Sequence, residues 1–188
     1  MILFLIGLIL FILPQLIIFL VYKKYHPEES GNIKEKNIEI IKYVILNKNT
    51  LLLLLAFCLP IIWNFFPIET LKLRWVNFFQ HAIGGGVAVG LSAVYIMNHL
   101  RNIRDLNPNF NIFKSTLFQF IFIYIIVSAF GCANEILEFT LDALRVGTFS
   151  ADRYDTWYDI VANTTGGIFV FILYRIYYLG FNIFKSLF

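Results

Sequence analysis

Five long apolar runs constrain this chain more than any other feature of it. They occupy about residues 1–22, 51–66, 75–100, 115–139 and 157–184. Inside a lipid bilayer no water pairs with backbone N–H and C=O groups, so a run of this length must satisfy them internally, as an α-helix. The runs predict an all-α, polytopic transmembrane helix bundle of about five spans, forming one integral membrane domain over residues 1–188. Composition removes the alternatives. The chain is 59% apolar and 14% charged, where soluble domains average about 45–50% and about 25%. A soluble enzyme and a disordered chain are excluded on that ground. A net charge of +3 is too small to point to a nucleic-acid partner. Cys58 and Cys132 lie in apolar runs without CxxC or Cys/His clustering, so neither a disulfide framework nor a zinc site is suggested.

The first run lacks the basic n-region and small-residue cleavage site of a signal peptide, and reads as a retained span kinked at Pro14. The second is short and contains Pro60. Between them, residues 33–46 carry Ile33, Ile40, Ile41, Val44 and Ile45 at helical spacing, opposite Lys34, Glu35, Glu39 and Lys42. This reads as an interfacial amphipathic helix or as a short cytosolic helix with a weak apolar face.

Basic residues orient the spans. If the first long loop is cytoplasmic, the inside holds Lys23, Lys24, Lys34, Lys36, Lys42, Lys48, Arg101, Arg104, Lys114, Arg175 and Lys185, eleven of the fifteen Lys and Arg. Lys72, Arg74, Arg145 and Arg153 remain outside. The expected topology has the N-terminus outside and the C-terminus in the cytoplasm. The acids then segregate outward: Glu69, Glu135, Glu138, Asp142, Asp152, Asp155 and Asp159.

Ionisable residues within or at the ends of spans are costly unless paired or wetted, so they mark candidate sites. Three such groups share the outer side. The third run opens Asn77-Phe-Phe-Gln80-His81 and continues into Gly84, Gly85, Ala88 and Ser92 on one face. The fourth closes with Glu135, Glu138 and Asp142 on one stripe, which Ser128 and Gly131 extend inward. The fifth opens with Asp155, Asp159 and Asn163, followed by Gly166 and Gly167. Small residues let helix backbones approach closely in lipid. Three helices with a polar end above small residues are expected to pack together and bring His81, Glu135, Glu138, Asp155, Asp159 and Asn163 to one pocket. The alternatives are structural. Asp155 and Asp159 can serve the helix start and its dipole, Glu135 and Glu138 can pair with Arg145 or Arg153, and Asn163 can join helices by hydrogen bonding. Trp63, Trp75, Trp157 and the tyrosines around Tyr154 and Tyr158 read as an interfacial belt or as apolar contact for a bound ligand, and Arg175 as a snorkelling side chain.

These motifs resemble the VanZ-like group of membrane proteins, and within it the YjdF-like branch. The signature there is a His on one span, a Glu at the end of another and an Asp-x3-Asn-x2/3-Gly helix opening. The matches are Asn77-x3-His81, Asn134-Glu135-x2-Glu138 and Asp155-Thr156-x2-Asp159-x3-Asn163-x2-Gly166-Gly167, within residues 70–175. The Lys of classical VanZ sequences has no counterpart in register, Lys72 and Arg74 being the nearest bases, and this favours the YjdF-like branch. The resemblance implies a bacterial cytoplasmic-membrane protein. The group's named member is associated with lowered susceptibility to the glycopeptide teicoplanin, and no reaction comes with it.

Two functions are expected from the residues. One is a membrane enzyme acting on an amphiphilic or lipid-linked envelope substrate. Its clustered carboxylates would serve as general acid and base and His81 as a proton shuttle, or Glu135, Glu138, Asp155 and Asp159 with His81 would hold a divalent cation. The other is a non-enzymatic binder of an envelope lipid, an antibiotic or a partner membrane protein. An ion carrier fits less well, because the acids gather at one face.

Overall fold

A computed structural model describes residues 2–25, 38, 40–42, 44–45, 49–67, 73–103, 112–145 and 153–187, with side chains up to residue 178. Helix α1 spans Ile2–Tyr25 and runs through Pro14. Helix α2 spans Thr50–Ile62, runs through Pro60 and ends in a 3₁₀ turn, Trp63–Phe65. Helix α3 is built from three consecutive pieces, Arg74–Phe79, a π-helical stretch Gln80–Val87, and Ala88–Ile103. Helix α4 spans Thr116–Ala143 and α5 spans Arg153–Leu187. No strand occurs among the described residues. Among the described residues four helices are long and apolar enough to cross a membrane, and the Thr50–Phe65 helix is shorter. The protein is an all-α membrane bundle.

The arrangement inverts that of a water-soluble domain. Large apolar side chains such as Leu5, Ile9, Leu16, Ile125 and Ile172 are exposed, while Ser92, His99, Gln119, Glu135, Asp159 and Asn163 are buried. An apolar exterior of this extent suits lipid contact, and polar groups on membrane helices belong in the bundle interior. Helix α3 is the central element: 61% of its apolar window is buried, against 22% in α1 and in α4. Helices α1 and α2 pack on each other and on α3, while α4 and α5 pair on its other side.

Lipid gives no hydrophobic drive for helices to associate, so close backbone approach carries the packing. Gly86 and Gly90 of α3 face α5, where an added methyl would meet the Asn163 carbonyl and the Val170 side chain respectively. Gly166 of α5 returns the contact against Ala82 and Gly86. Gly167 faces Val127 of α4.

The π stretch changes the expected geometry. Its wider turns shift the register, and the face expected to carry Gly84, Gly85, Ala88 and Ser92 is shared among three neighbouring helices. Gly84 meets Trp63 of α2, Gly85 meets Asn163 of α5, and Ser92 donates to the Leu10 carbonyl of α1 at 3.2 Å.

Helix limits also differ from the apolar runs. Helix α4 starts after Ser115, whose hydroxyl accepts from the Phe118 N–H at 3.4 Å as an N-cap. It passes Phe139 and closes at Ala143, followed by Arg145 in a left-handed conformation (φ 58°). Helix α5 begins at Arg153, four residues before its apolar run. Asp142 and Asp155 therefore lie on helices, because backbone hydrogen bonding continues beyond the point where apolarity stops.

In the stretch between α1 and α2, residues 38, 40–42, 44 and 45 are helical. Ile40 and Val44 are buried, whereas Ile41 and Ile45 are exposed. Tyr95 of α3 donates its hydroxyl to the Val44 carbonyl at 2.9 Å, which ties this stretch to the bundle. Ile33, Lys34, Glu35 and Glu39 lie outside the described residues.

Candidate functional site

Arg101 and Arg175 lie at one end of the bundle and the described carboxylates at the other, which also carries Arg74 and Arg145. At the end formed by the C-terminus of α1, the C-terminus of α3 and the start of α4, Arg101 donates to Tyr174 and Tyr178 at 2.8 and 2.7 Å. Arg175 donates to Gln119 at 3.3 Å. The expected snorkelling Arg175 thus has a side-chain partner within the bundle.

The carboxylates gather at the other end. His81 lies seven residues after Arg74, Asp159 six after Arg153, and Glu135 eight before Ala143. At 1.5 Å per residue all three stand about 9–12 Å from their helix ends, which is why three different helices deliver them to one level. His81 Nε2 is 3.4 Å from Asp159 Oδ2. Asn77, one turn before His81 on α3, donates its Nδ2 to Asp159 Oδ1 at 3.1 Å and to Asp155 Oδ1 at 3.4 Å. Asp159 therefore has one oxygen held by Asn77 and the other facing the imidazole.

Glu135 is only 4% exposed. One donor atom from each of His81, Glu135 and Asp159 lies within 4.8 Å of the others. Among the described residues, Glu135 Oε1 and Thr156 Oγ1 are buried without a hydrogen-bond partner. Glu138 accepts from Asn134 Nδ2 at 2.7 Å. No ion pair joins Glu135 or Glu138 to Arg145 among the described residues, and the Arg153 side chain lies outside them. Asn163 is buried where α3, α4 and α5 meet, against Gly85, Gly86 and Gly131.

The six expected residues thus share one end of the bundle but divide into layers. His81, Glu135 and Asp159 form a tight group. Asp155 stands behind it through Asn77. Glu138 and Asn163, together with His81, line an adjoining cavity of about 440 Å³, within the usual range of about 300–1,000 Å³ for ligand pockets.

The cavity lies beside the end of the short helix α2. Thr50–Phe65 is sixteen residues, about 24 Å of helix, less than the roughly 30 Å hydrocarbon thickness. Its last turn places Trp63 against Gly84, about three turns below the start of α3. One wall comes from Ile6 and Ile9 of α1 with Pro60 and Trp63 of α2. The facing wall is a stripe of α4: Val127, Phe130, Asn134, Leu137, Glu138 and Leu141. Most of the lining is apolar, with Gln80, His81, Asn134, Glu138 and Asn163 as polar groups. Trp63 is 8% exposed, and its Nε1 is buried without a hydrogen-bond partner among the described residues.

Three further residues, Asn77, Asn134 and Trp63, stand in the site though they were not among the six candidates. Asn77 sits four residues before His81, a spacing that puts both on one helical face. Asn134 is likewise one turn before Glu138. Of the two readings of the tryptophans, the belt suits Trp75 and Trp157, both 64% exposed, whereas Trp63 is a cavity wall. No local signal marks it apart from Pro60.

A family model described as a predicted membrane protein, DUF2238, matches residues 51–179. It covers α2 to α5 and so includes every residue of the cluster. No curated protein and no solved structure matches the chain.

Proposed function

The chain belongs to the DUF2238 family of predicted membrane proteins, and on that footing we propose that it acts on the polar head of an amphiphilic, lipid-linked molecule of the bacterial envelope. In this reading it is a VanZ/YjdF-like protein of the cytoplasmic membrane, one integral domain with its N-terminus outside and its C-terminus in the cytoplasm. The carboxylate end faces the extracytoplasmic side.

The observation that carries the reading is the two-part character of the cavity. Apolar side chains of α1, α2 and α4 suit a hydrocarbon tail, and one end presents His81, Asn134, Glu138 and Asn163. The unpaired Trp63 Nε1–H on the same wall suits a head-group oxygen, since an unsatisfied buried donor is costly to leave. Glu138 is the cavity-facing carboxylate and the residue placed to exchange a proton with the head group. Asn134 holds it by a short hydrogen bond. Asp159 orients His81, and Asn77 orients Asp159.

The mainly apolar lining also supports a second reading, a binder that retains an amphiphile without altering it. Mass spectrometry of membrane lipids from cells making wild type, His81→Ala, Glu135→Gln or Asp159→Asn separates the two. For an enzyme, wild type changes the head-group mass of an envelope lipid. The variants, at equal expression and equal lipid retention, lower that conversion by about 10²–10⁴-fold, the range for lost acid–base groups. For a binder, no mass changes and the variants retain less lipid. Wild-type behaviour from all three variants refutes a role for the cluster in either reading.

A further inference from the structure

We propose that His81, Glu135 and Asp159 form a binding site for one divalent transition-metal ion. The inference rests on reading this end of the bundle as the functional site, but it requires no amphiphile. One imidazole nitrogen and two carboxylate oxygens come from α3, α4 and α5 and lie within 4.8 Å of one another. The His81–Asp159 separation of 3.4 Å is close to the spacing of about 3.3 Å between two ligands at tetrahedral angles and metal bonds of about 2.0–2.1 Å. The wider separations in the group close by small side-chain rotations.

Glu135 gives the independent sign of a ligand. It is 96% enclosed (4% exposed), and its Oε1 has no hydrogen-bond partner among the described residues. A carboxylate oxygen in that position is costly unless something positive meets it. Among the described residues no Lys or Arg does so there, the polar neighbours of the carboxylate being the neutral Thr156 hydroxyl and Asn134 amide, and a dication between Glu135 and Asp159 would. Asp155 and Glu138 add negative potential around the same point, which a bound ion offsets.

The surroundings resemble a metal's outer shell, in which a hydrogen bond orients the ligating carboxylate. Asn77 holds Asp159 Oδ1 and leaves Oδ2 toward His81. The donor set of one imidazole and two carboxylates suits Zn²⁺ or Mn²⁺ and disfavours ions that prefer thiolate or all-oxygen sites. Three protein ligands leave a coordination position open. Because His81 also lines the cavity, that position lies at its polar end. A phosphate or similar oxyanion on the head group would complete the shell, which narrows the proposed substrate class to anionic amphiphiles.

The test is uptake of Zn²⁺ and of Mn²⁺ by full-length protein in detergent, stripped with chelator, titrated with the metal alone and assayed by elemental mass spectrometry after desalting. Wild type is expected to take up roughly one ion per chain with protons released on binding. Glu135→Gln and His81→Ala should bind more than about 100-fold more weakly, and Asn77→Ala about 10–100-fold more weakly, as for an outer-shell loss. Asp142→Asn, a charge change two turns nearer the end of the same helix and outside the group, should bind like wild type. Size-exclusion profiles and helical circular dichroism identify any variant that misfolds, and the remaining variants then decide. The inference is overturned if stripped wild type takes up neither ion, or if well-folded Glu135→Gln or Asn77→Ala binds as tightly as wild type. Lipid retention measured on the same stripped protein keeps the outcomes apart: retained lipid without metal uptake refutes the ion alone, and metal uptake without lipid refutes the amphiphile alone.

Discussion

Replacing Gly166 by alanine is expected to destabilise the bundle severely. A methyl group there would overlap the Ala82 carbonyl and stand 2.8 Å from the Val87 nitrogen and 2.9 Å from the Gly86 Cα. All three are backbone atoms, so no side chain can rotate away to relieve the contact. Either α5 moves off α3 or the π stretch rewinds. Overpacking a tight interface costs about 1–3 kcal/mol and sometimes more, and in lipid no hydrophobic drive compensates for lost van der Waals contact. The α3–α5 spacing also sets the His81–Asp159 contact, so the variant should lose metal uptake along with stability. Heating in detergent followed by size exclusion reads the effect as an earlier loss of the monodisperse peak. Gly131→Ala is the matched control, because its added methyl would meet Asn163 atoms at 3.4–3.7 Å, an ordinary contact distance. A Gly166→Ala protein as heat-stable as wild type would show that the helices are not held by this close approach.

The second large effect is expected from filling the cavity. Ala133 lines it from α4 and is itself exposed at the edge of the stripe. A tryptophan there adds bulk to the space between α4 and the α1–α2 wall without entering the α3–α5 interface or touching the His81–Glu135–Asp159 group. Ala133→Trp should leave thermal stability and metal uptake close to wild type. It should reduce co-purified amphiphile more than about 10-fold, since a blocked tail site forfeits most of the apolar burial, at about 0.8 kcal/mol per CH₂. Lipid extraction from the purified protein with mass spectrometry measures it. Equal amphiphile in wild type and Ala133→Trp would mean that the retained lipid sits elsewhere.

The chain shows some of this architecture openly. Five apolar runs force helices because hydrocarbon leaves the backbone no other way to pair, and the polar ends of three of them share a stripe with small residues. Periodicity, however, reports which residues share a face and not which neighbour that face meets. Gly84 and Gly85 were expected on one surface, yet they meet α2 and α5, because consecutive helical residues point about 100° apart and this face lies between two neighbours. Three consecutive glycines are the only local hint of the π stretch. Ile41 and Ile45 were grouped with Ile40 and Val44, and only the latter two are buried. Glu138 and Asp155 were grouped with Glu135 and Asp159 as possible cation ligands. They stand one layer out, Glu138 toward the cavity and Asp155 behind Asn77, although all four share helical stripes. The Arg101–Tyr174–Tyr178 contacts join residues more than seventy positions apart, a pairing no local pattern can announce.

The central claim is that the cavity beside the carboxylates holds an amphiphile. A photocrosslinking amino acid at Leu137, which lines the open cavity, tests it most directly against the same group at neighbouring Ile136, which is outside the lining and more exposed. Irradiation of membranes and mass spectrometry of the adducts should give one predominant anionic amphiphile at Leu137, at a yield that saturates and falls in the Ala133→Trp background. Ile136 should give a mixture of bulk lipids that Ala133→Trp leaves unchanged. The same unsaturable mixture at both positions would contradict the account.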